Sequence, residues 1–279
     1  MYVKLKISKA IQRLIVCCFI LCFGLLISGM VTAKIPQAPG DPAPKEEGVK
    51  VPILMYHSLL KASSAQGRYT ISPDWLESDL KYIQENGYTT ITVKDLTDYV
   101  FNDKPLPAKP VMLTFDDGHY NNYAYALPLL KKYKAKAIMS PILKEAEKFS
   151  ELEEKDENSA IYGYCSFEDL KEMVDSGCFE IQNHSYDMHG IRSGRYGATQ
   201  RDWESDADYR AALIKDTQTA QDLITQKTGT TPLCYTYPLG ARSKDTESIL
   251  RELGFKVSLS CTEVTSSVSK DPESLYFLG

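Results

Sequence analysis

Short apolar runs recur along the chain from residue 51 onward, and each has the length of a β-strand. Within each run the apolar residues are mostly consecutive rather than alternating with polar ones, as expected for strands covered on both faces. These runs predict seven strands: Val51–Tyr56, Tyr88–Thr92, Val111–Phe115, Ala135–Ser140, Phe179–Gln182, Leu233–Tyr237 and Lys256–Ser260.

Segments with helical periodicity lie between these runs, and each is followed by a glycine that ends it. The first predicted helix has the apolar positions Leu76, Leu80 and Ile83 before Gly87, and the second is the segment Phe167–Ser176 before Gly177. The third has Tyr209, Leu213, Ala220, Leu223 and Ile224 before Gly229. The fourth has Ile249, Leu250 and Leu253 before Gly254. Ser166 and Asp169 have the spacing of a capping box. The alternation of strands and helices predicts a parallel α/β domain, either a barrel or an open doubly wound sheet.

The first 33 residues have the features of a targeting segment. A basic stretch precedes the apolar run from Leu14 to Ala33, which approaches the roughly 20 residues that cross a bilayer. The small residues before Lys34 suit a cleavage site, so a cleaved signal peptide and an uncleaved membrane anchor both stay open. Both predict export, with the protein secreted or anchored on the extracellular side. Membrane contact is expected only through this segment.

Residues 34–50 contain four prolines and few apolar residues, and we interpret them as a linker. Residues 51–279 then form a single domain. The formal net charge is −5, and the first 33 residues carry no acids, so this domain is more acidic than the whole chain. An acidic domain argues against nucleic acid as a partner. Its four cysteines are either small buried thiols or disulfide-bonded, and their spacing does not decide between the two.

Histidines and adjacent acids follow the ends of the predicted strands. His57 ends the first strand, Asp116 and Asp117 follow the third, and His184 and His189 follow the fifth. Parallel strands bring their carboxyl ends to one edge, so these side chains are expected to meet. Two imidazoles and a carboxylate suit a divalent metal, and a second carboxylate can act as a general base. This pattern predicts a metal-dependent hydrolase.

The five-residue spacing of His184 and His189 excludes a site on regular structure. On a helix the two side chains would lie about 140° apart, and on a strand they would point to opposite faces. They converge on one ion only where a strand end enters a loop. The sequence Asp116-Asp117-Gly118, taken alone, also fits an ordinary solvated turn. The metal site is therefore inferred from the two motifs together.

Several other residues are candidates for the site, and most of them allow two interpretations. His119 is expected to be a loop residue rather than a third imidazole ligand, and His57 either faces the site or caps its strand. The sequence TYPLG at 236–240 is an ordinary Pro-Gly turn or a source of N–H groups for an oxyanion. The polar segment 190–203 is expected to form a loop over the same face. Aromatic residues that either stack on sugar rings or pack internally are Tyr69, Tyr120, Tyr123, Tyr186, Tyr196 and Trp203.

The motifs TFDDG, H-S-x-x-x-H and Y-P-x-G occur in an order that resembles the polysaccharide deacetylases of carbohydrate esterase family 4. The resemblance extends from about Val51 to the C-terminus and includes the MYHS opening and the segment ENGYTTIT. It implies a distorted (β/α)7 barrel, and it implies that residues 51–279 form a catalytic domain of the deacetylase type.

The resemblance also implies a role for each matching residue. Asp116 would be the general base, and Asp117, His184 and His189 would hold a metal, with zinc preferred and cobalt, nickel or manganese admissible. Water would attack the acetamide carbonyl of an N-acetylated sugar, and acetate would leave. A backbone N–H in the Y-P-x-G turn would stabilise the oxyanion. The residues of that turn are Tyr237, Pro238, Leu239 and Gly240.

The chain departs from the family pattern in three places. Histidines five apart, rather than the commoner four, resemble the branch that acts on exported poly-N-acetylglucosamine. The arginine that often orients the catalytic Asp is missing, and Thr236 stands near its place. The late Leu-x-His motif, whose histidine is the general acid, is also absent. Either the sequence is truncated or another group donates the proton, and for the second case we assign His57 as the candidate general acid because it lies at a strand end.

Three functions are consistent with these residues. The first is an exported, metal-dependent N-deacetylase acting on N-acetylglucosamine residues of a cell-surface or cell-wall polysaccharide. The second is an esterase that removes O-acetyl groups from xylan or another glycan by the same chemistry. The third is a non-catalytic glycan-binding protein on the same scaffold, which the missing arginine and histidine favour and the retained acids and histidines oppose. The sequence makes no prediction of oligomeric state.

Overall fold

The computed structural model describes residues 48–152, 159–191 and 194–279. Contacts divide the chain into residues 1–45 and residues 46–279, and every described residue belongs to the second unit. The predicted targeting segment, and the predicted linker up to residue 47, lie outside the described residues. Within the described ranges, no helix combines the length and apolarity needed to cross a membrane.

Short strands, several of them at the predicted positions, form the centre of the fold. Numbered in chain order, they are β1 Val49–Val51, β2 Ile53–Tyr56, β3 Ser58–Leu59, β4 Thr70–Ile71, β5 Thr89–Ile91, β6 Pro110–Asp117, β7 Ala137–Pro141, β8 Phe179–Ile181, β9 Cys234–Thr236, β10 Val257–Leu259 and β11 Ser266–Val268. The seven predicted strands correspond to β2 and to β5 through β10. In the described part of the chain these seven pair only in parallel, as predicted.

Strand β6 is the central strand of the sheet. It pairs in parallel with β2, β5 and β7, and β7 pairs with β8. A single bridge between Asn183 and Tyr235 links the end of β8 to β9, which pairs with β10. Over the described residues no ladder joins β10 back to β2, so the distorted (β/α)7 barrel is open at this seam.

The helices cover the strands from outside. They are α1 Pro73–Glu85, α2 Val93–Phe101, α3 Leu127–Tyr133, α4 Leu143–Ser150, α5 Ser159–Tyr162, α6 Phe167–Asp175, α7 Asp206–Thr228 and α8 Thr246–Glu252. The helices predicted from apolar spacing are confirmed as α1, α6, α7 and α8. Ser166 and Asp169 form the predicted capping box of α6, and Gly229 ends α7 with a left-handed φ of 78°.

Burial of β6 explains why its apolar residues are consecutive. Residues 110–116 are all buried. Leu113 and Phe115 belong to one apolar cluster, whereas Met112 belongs to a second cluster that includes Ile138 of β7. Alternate residues of a strand point to opposite faces, so both faces of β6 are covered by apolar side chains.

None of the four cysteines of the domain, all among the described residues, forms a disulfide. Cys165, Cys178 and Cys234 are buried, and Cys261 is exposed. The disulfide alternative that the sequence left open is therefore wrong for these residues, and the first three pack as small apolar side chains.

Candidate metal centre and catalytic site

One open cavity of about 640 Å³ collects the predicted site residues at the carboxyl ends of the strands. Its lining includes His57, Asp116, Asp117, His119, His184, His189, Tyr237 and Leu239. Pro238 of the predicted turn is buried. A Cβ atom on Gly240 would lie only 2.9 Å from the Cβ of Cys261, so the turn packs against the segment after β10 too closely for a side chain.

The structure brings together Asp117, His184 and His189, the three residues predicted as metal ligands. Oδ1 of Asp117 lies 3.0 Å from Nε2 of His189 and 3.6 Å from Nε2 of His184. One donor atom from each of the three residues lies within 4.8 Å of the other two. Two nitrogens and one carboxylate oxygen therefore face a common point.

The hydrogen bond at the far side of His184 shows that this point suits a cation. Nδ1 of His184 lies 2.8 Å from the carbonyl oxygen of Thr236. A carbonyl only accepts, so in the neutral ring Nδ1 carries the hydrogen and the lone pair of Nε2 faces Asp117. Oδ1 of Asp117 is buried, lies 3.0 Å from Nε2 of His189 and forms no well-aligned hydrogen bond with the described residues. Facing lone pairs repel unless a cation lies between them, so this donor set fits a metal.

A proton competes for the same position. Burial alone would lower the pKa of His184, but the contact with Asp117 and the charge of Asp116 raise it overall. Burial alone would raise the pKa of Asp117, but contacts with His119, His184 and His189 bring it well below the ordinary range. A metal that binds here must therefore displace a proton.

The backbone between the two histidines leaves regular structure, as their five-residue spacing requires. Ser185 adopts a left-handed φ of 74°. Its N–H donates to Oδ1 of Asn183 at 2.9 Å, and its Oγ accepts the N–H of Met188 at 3.1 Å. These side-chain bonds turn the chain sharply after His184.

Asp116 is buried beside the ligand set, with 3% of its surface exposed. Burial raises its pKa, the charges of His184 and His57 lower it, and Asp117 raises it, with a net increase. Asp116 lies in register with Ser140 of β7, whose Oγ is hydrogen-bonded to Oγ1 of Thr236 at 2.8 Å. Thr236, near the place of the missing family arginine, thus contributes a neutral hydroxyl group.

The turn after β6 requires glycine. Asp117 and Gly118 both have left-handed φ angles, 69° and 82°. A Cβ atom at position 118 would lie 2.7 Å from the Cβ of Pro141, closer than packed carbon atoms approach. This turn directs the Asp117 carboxylate toward the histidines.

His119 lies next to the ligand set but outside it. Its Nε2 is 3.5 Å from Oδ2 of Asp117, which is the carboxylate oxygen not directed at His184 and His189. Its ring stacks on Tyr164 with a centroid distance of 5.0 Å.

Two buried asparagines hold the strand end at His57, and the sequence analysis missed both. Nδ2 of Asn122 donates to the carbonyl oxygen of His57 at 2.8 Å, and Oδ1 of Asn121 accepts the N–H of Leu59 at 2.9 Å. Tyr69 contacts the His57 ring edge-on at 5.1 Å. The only signal in the sequence was a polar pair shortly after the strand-end acids.

Within the Y-P-x-G turn, one N–H group is a candidate to bind the oxyanion. The N–H groups of Gly240 and Ala241 donate within the turn, to the carbonyl oxygens of Tyr237 and Pro238. Proline has no N–H. Leu239 lines the cavity and has a left-handed φ of 57°, so its N–H is the candidate oxyanion donor.

Four of the six aromatic candidates fall into two groups. Tyr69 and Tyr196 line the cavity, with 56% and 53% of their surfaces exposed, and suit stacking on a sugar ring. Tyr123 and Tyr186 instead donate hydrogen bonds to Glu172 and Glu147, each at 2.6 Å. These two serve internal packing.

A family model described as polysaccharide deacetylase matches residues 103–258, and the chain belongs to that family. The poly-beta-1,6-N-acetyl-D-glucosamine N-deacetylase of Staphylococcus aureus is 25% identical over 267 residues, covering 90% of this chain and 87% of that protein. The solved structure of IcaB from Ammonifex degensii has 26% identity and a TM-score of 0.62, over 83% of this chain and 90% of that one. A de-N-acetylase from Aggregatibacter actinomycetemcomitans has a TM-score of 0.68 at 21% identity, over 82% and 93% of the two chains, which supports the fold.

Proposed function

We propose that this protein is an exported, metal-dependent hydrolase that removes N-acetyl groups from N-acetylglucosamine residues of a cell-surface or cell-wall polysaccharide. The proposal rests on one observation above all: Asp117, His184 and His189 converge beside the buried Asp116 in an open cavity. Family membership supports deacetylation, and the relative from Staphylococcus aureus supports the sugar. The basic and apolar segment before residue 34 supports export.

Zinc is the preferred metal, and cobalt, nickel and manganese are admissible. Imidazole nitrogen, a borderline donor, suits zinc and nickel, and carboxylate oxygen, a hard donor, also suits manganese. Asp117, His184 and His189 would hold the ion, and three protein ligands leave coordination positions open, as in catalytic zinc sites. When bound, the metal supplies Lewis acidity and lowers the pKa of water.

Asp116 is the general base in this proposal. Its Oδ1 is buried and has no hydrogen-bond partner among the described residues, so a lone pair is available for the proton of the attacking water. The raised pKa of Asp116 strengthens it as a base. The charges of His184 and His57 favour its ionised form.

Two other groups complete the reaction. The carbonyl oxygen of the acetamide gains negative charge as water adds, and the N–H of Leu239 donates to it. The sugar nitrogen must gain a proton as its bond to the acetyl carbon breaks. His57, at the end of β2, donates that proton, and the products are acetate and a free amine.

Acetate release from β-1,6-linked N-acetylglucosamine oligomers tests the proposal. The full chain with added Zn²⁺ or Co²⁺ is expected to release acetate, and chelation is expected to stop it. Asp116→Asn should lower kcat by about 100-fold or more while metal binding is kept. Asp117→Asn, as the matched variant, should lose both acetate release and metal binding.

Parallel assays with chitin oligomers, peptidoglycan fragments and acetylated xylan identify the substrate. Release from acetylated xylan alone would move the assignment to an O-acetyl esterase. Metal binding without acetate release from any of these glycans would contradict catalysis and favour the glycan-binding protein.

A further inference from the structure

The carboxylate of Asp216 holds the backbone between the two histidine ligands. Asp216 lies within α7, and its two oxygens accept the N–H groups of Tyr186 at 2.9 Å and Asp187 at 2.7 Å. We infer that Asp216 is a positioning residue, which fixes His184 and His189 for metal binding through this loop. The inference rests on the proposed function, because it assigns Asp216 to the same metal site.

The loop is held by contacts with two helices, through backbone bonds to α4 and through the Asp216 side chain of α7. Residues 182–189 contain no helix or strand beyond an isolated bridge at Asn183. The carbonyl oxygens of Ser185 and Tyr186 accept the N–H groups at the start of α4, from Leu143 at 3.3 Å and Lys144 at 3.1 Å. The Asp216 carboxylate accepts hydrogen bonds from the consecutive N–H groups of Tyr186 and Asp187. Two adjacent N–H donors form an arrangement that suits an anion.

Two backbone N–H groups of this loop and the charge of Arg195 favour the ionised form of Asp216. Burial raises its pKa, and the N–H groups of Asp187 and Tyr186 lower it in part. Hydrogen bonds to an ionised carboxylate are about twice as strong as those between neutral groups. A neutral side chain at this position would therefore hold the loop less firmly.

A second set of contacts connects the same helix to His184. Nδ2 of Asn183 donates to the carbonyl oxygen of Thr217 at 3.1 Å and to Oε1 of Gln221 at 3.3 Å. Oδ1 of Asn183 accepts the N–H of Ser185. One face of α7 thus contacts the residues on both sides of His184, and the position of Asp216 is transmitted to the ligand.

Zinc affinity of the full chain tests the inference. Asp216→Asn keeps one acceptor oxygen but turns an NH2 group toward a backbone N–H, so the Kd for Zn²⁺ should rise about 10-fold. Asp216→Glu keeps the carboxylate and should recover most of the affinity. Asp222→Asn, an exposed acid on the same helix, should bind zinc as the wild type does. Competition with a chromophoric chelator measures all four proteins.

Each outcome has a separate meaning. An unchanged Kd in Asp216→Asn overturns the inference, and a lower Tm of the metal-free protein at unchanged Kd assigns Asp216 a structural role only. Failure of the wild type to bind zinc overturns the proposed function and the inference with it. Should Asp216→Asn not fold, hydrogen exchange of the wild type decides: unprotected amides at Tyr186 and Asp187 overturn the inference.

Discussion

His57 owes its place in the cavity to residues outside its own strand. Asn122 binds its carbonyl oxygen, and Tyr69 contacts the edge of its ring. A side chain fixed in this way can meet the sugar nitrogen without a large loss of conformational freedom. This position is the basis for proposing His57 as the proton donor.

We expect His57→Ala to lower kcat about 100-fold. The Kd for Zn²⁺ should stay unchanged, because His57 is not one of the three ligands. Removal of a general acid should also change the dependence of the rate on pH. Steady-state rates across a pH series, with zinc binding as the control, check both points. Unchanged kcat and an unchanged pH profile would exclude the role.

Residue types pointed to the candidate ligands and the candidate base, but not to the residues that hold them in place. Asp116, Asp117, His184 and His189 were found because strand-end acids and histidines have a recognisable pattern. Asn122 and Asp216 instead bind backbone groups of distant segments. Such contacts have no fixed spacing in the sequence, so only the fold reveals them.

At the scale of an element, the turn after β6 decides where Asp117 points. Gly118 combines a left-handed φ of 82° with a close approach to Pro141. Gly177, after α6, has a similar φ of 71°, but no neighbouring atom lies within 4 Å of the place that a Cβ atom would take. An alanine at position 177 would therefore add only backbone strain, whereas an alanine at position 118 would add both backbone strain and steric overlap.

We expect Gly177→Ala to lower the free energy of unfolding by about 1 kcal/mol, because alanine disfavours positive φ. Gly118→Ala should cost more and should also weaken Zn²⁺ binding, because relief of the overlap with Pro141 moves Asp117. Urea unfolding and zinc titration of both variants measure the two effects. Equal losses of stability with unchanged zinc affinity would contradict the argument.

Helix α2 contains a carboxylate whose pKa predicts a pH-dependent stability. Asp98 accepts hydrogen bonds from Lys104 at 2.6 Å, Lys94 at 2.8 Å and Asn102 at 2.8 Å. The Lys104 contact, followed by those of Lys94 and Asn102, lowers the pKa of Asp98 well below its ordinary value. A carboxyl group of this kind stabilises the fold above its unfolded-state pKa, and the effect is lost as pH falls through the folded-state pKa.

Asp98→Asn should therefore have a lower Tm than the wild type at pH 7. The difference should shrink as the pH falls below about 4, where the unfolded chain begins to take up the proton. Thermal unfolding at pH 7, 5, 4 and 3 measures this trend, with Asp222→Asn as the exposed control. A difference that stays constant over this range would show that the charge of Asp98 is not responsible.

For the molecule as a whole, the apolar pattern predicted the strands but not the open seam. Leu54 and Met55 of β2 are 37% and 40% exposed, although a continuous apolar run predicts covered faces. They line a cavity of about 580 Å³ together with Cys261, after β10. Pairing between β2 and β10 depends on segments about 200 residues apart, and periodicity carries no information on such register.

Metal binding should stabilise the whole domain, because its ligands come from separate parts of the sheet. Asp117 ends β6, and His184 follows β8 and is held by the carbonyl oxygen of Thr236 in β9. An ion that binds only the folded chain adds about 4 kcal/mol at 1,000 times its Kd, which corresponds to a Tm increase of roughly 8–16 °C for a domain of this size. Calorimetry with Zn²⁺ and after chelation measures the shift. His189→Ala should lose it and Asp116→Asn should keep it, whereas an undiminished shift in His189→Ala would place the metal elsewhere.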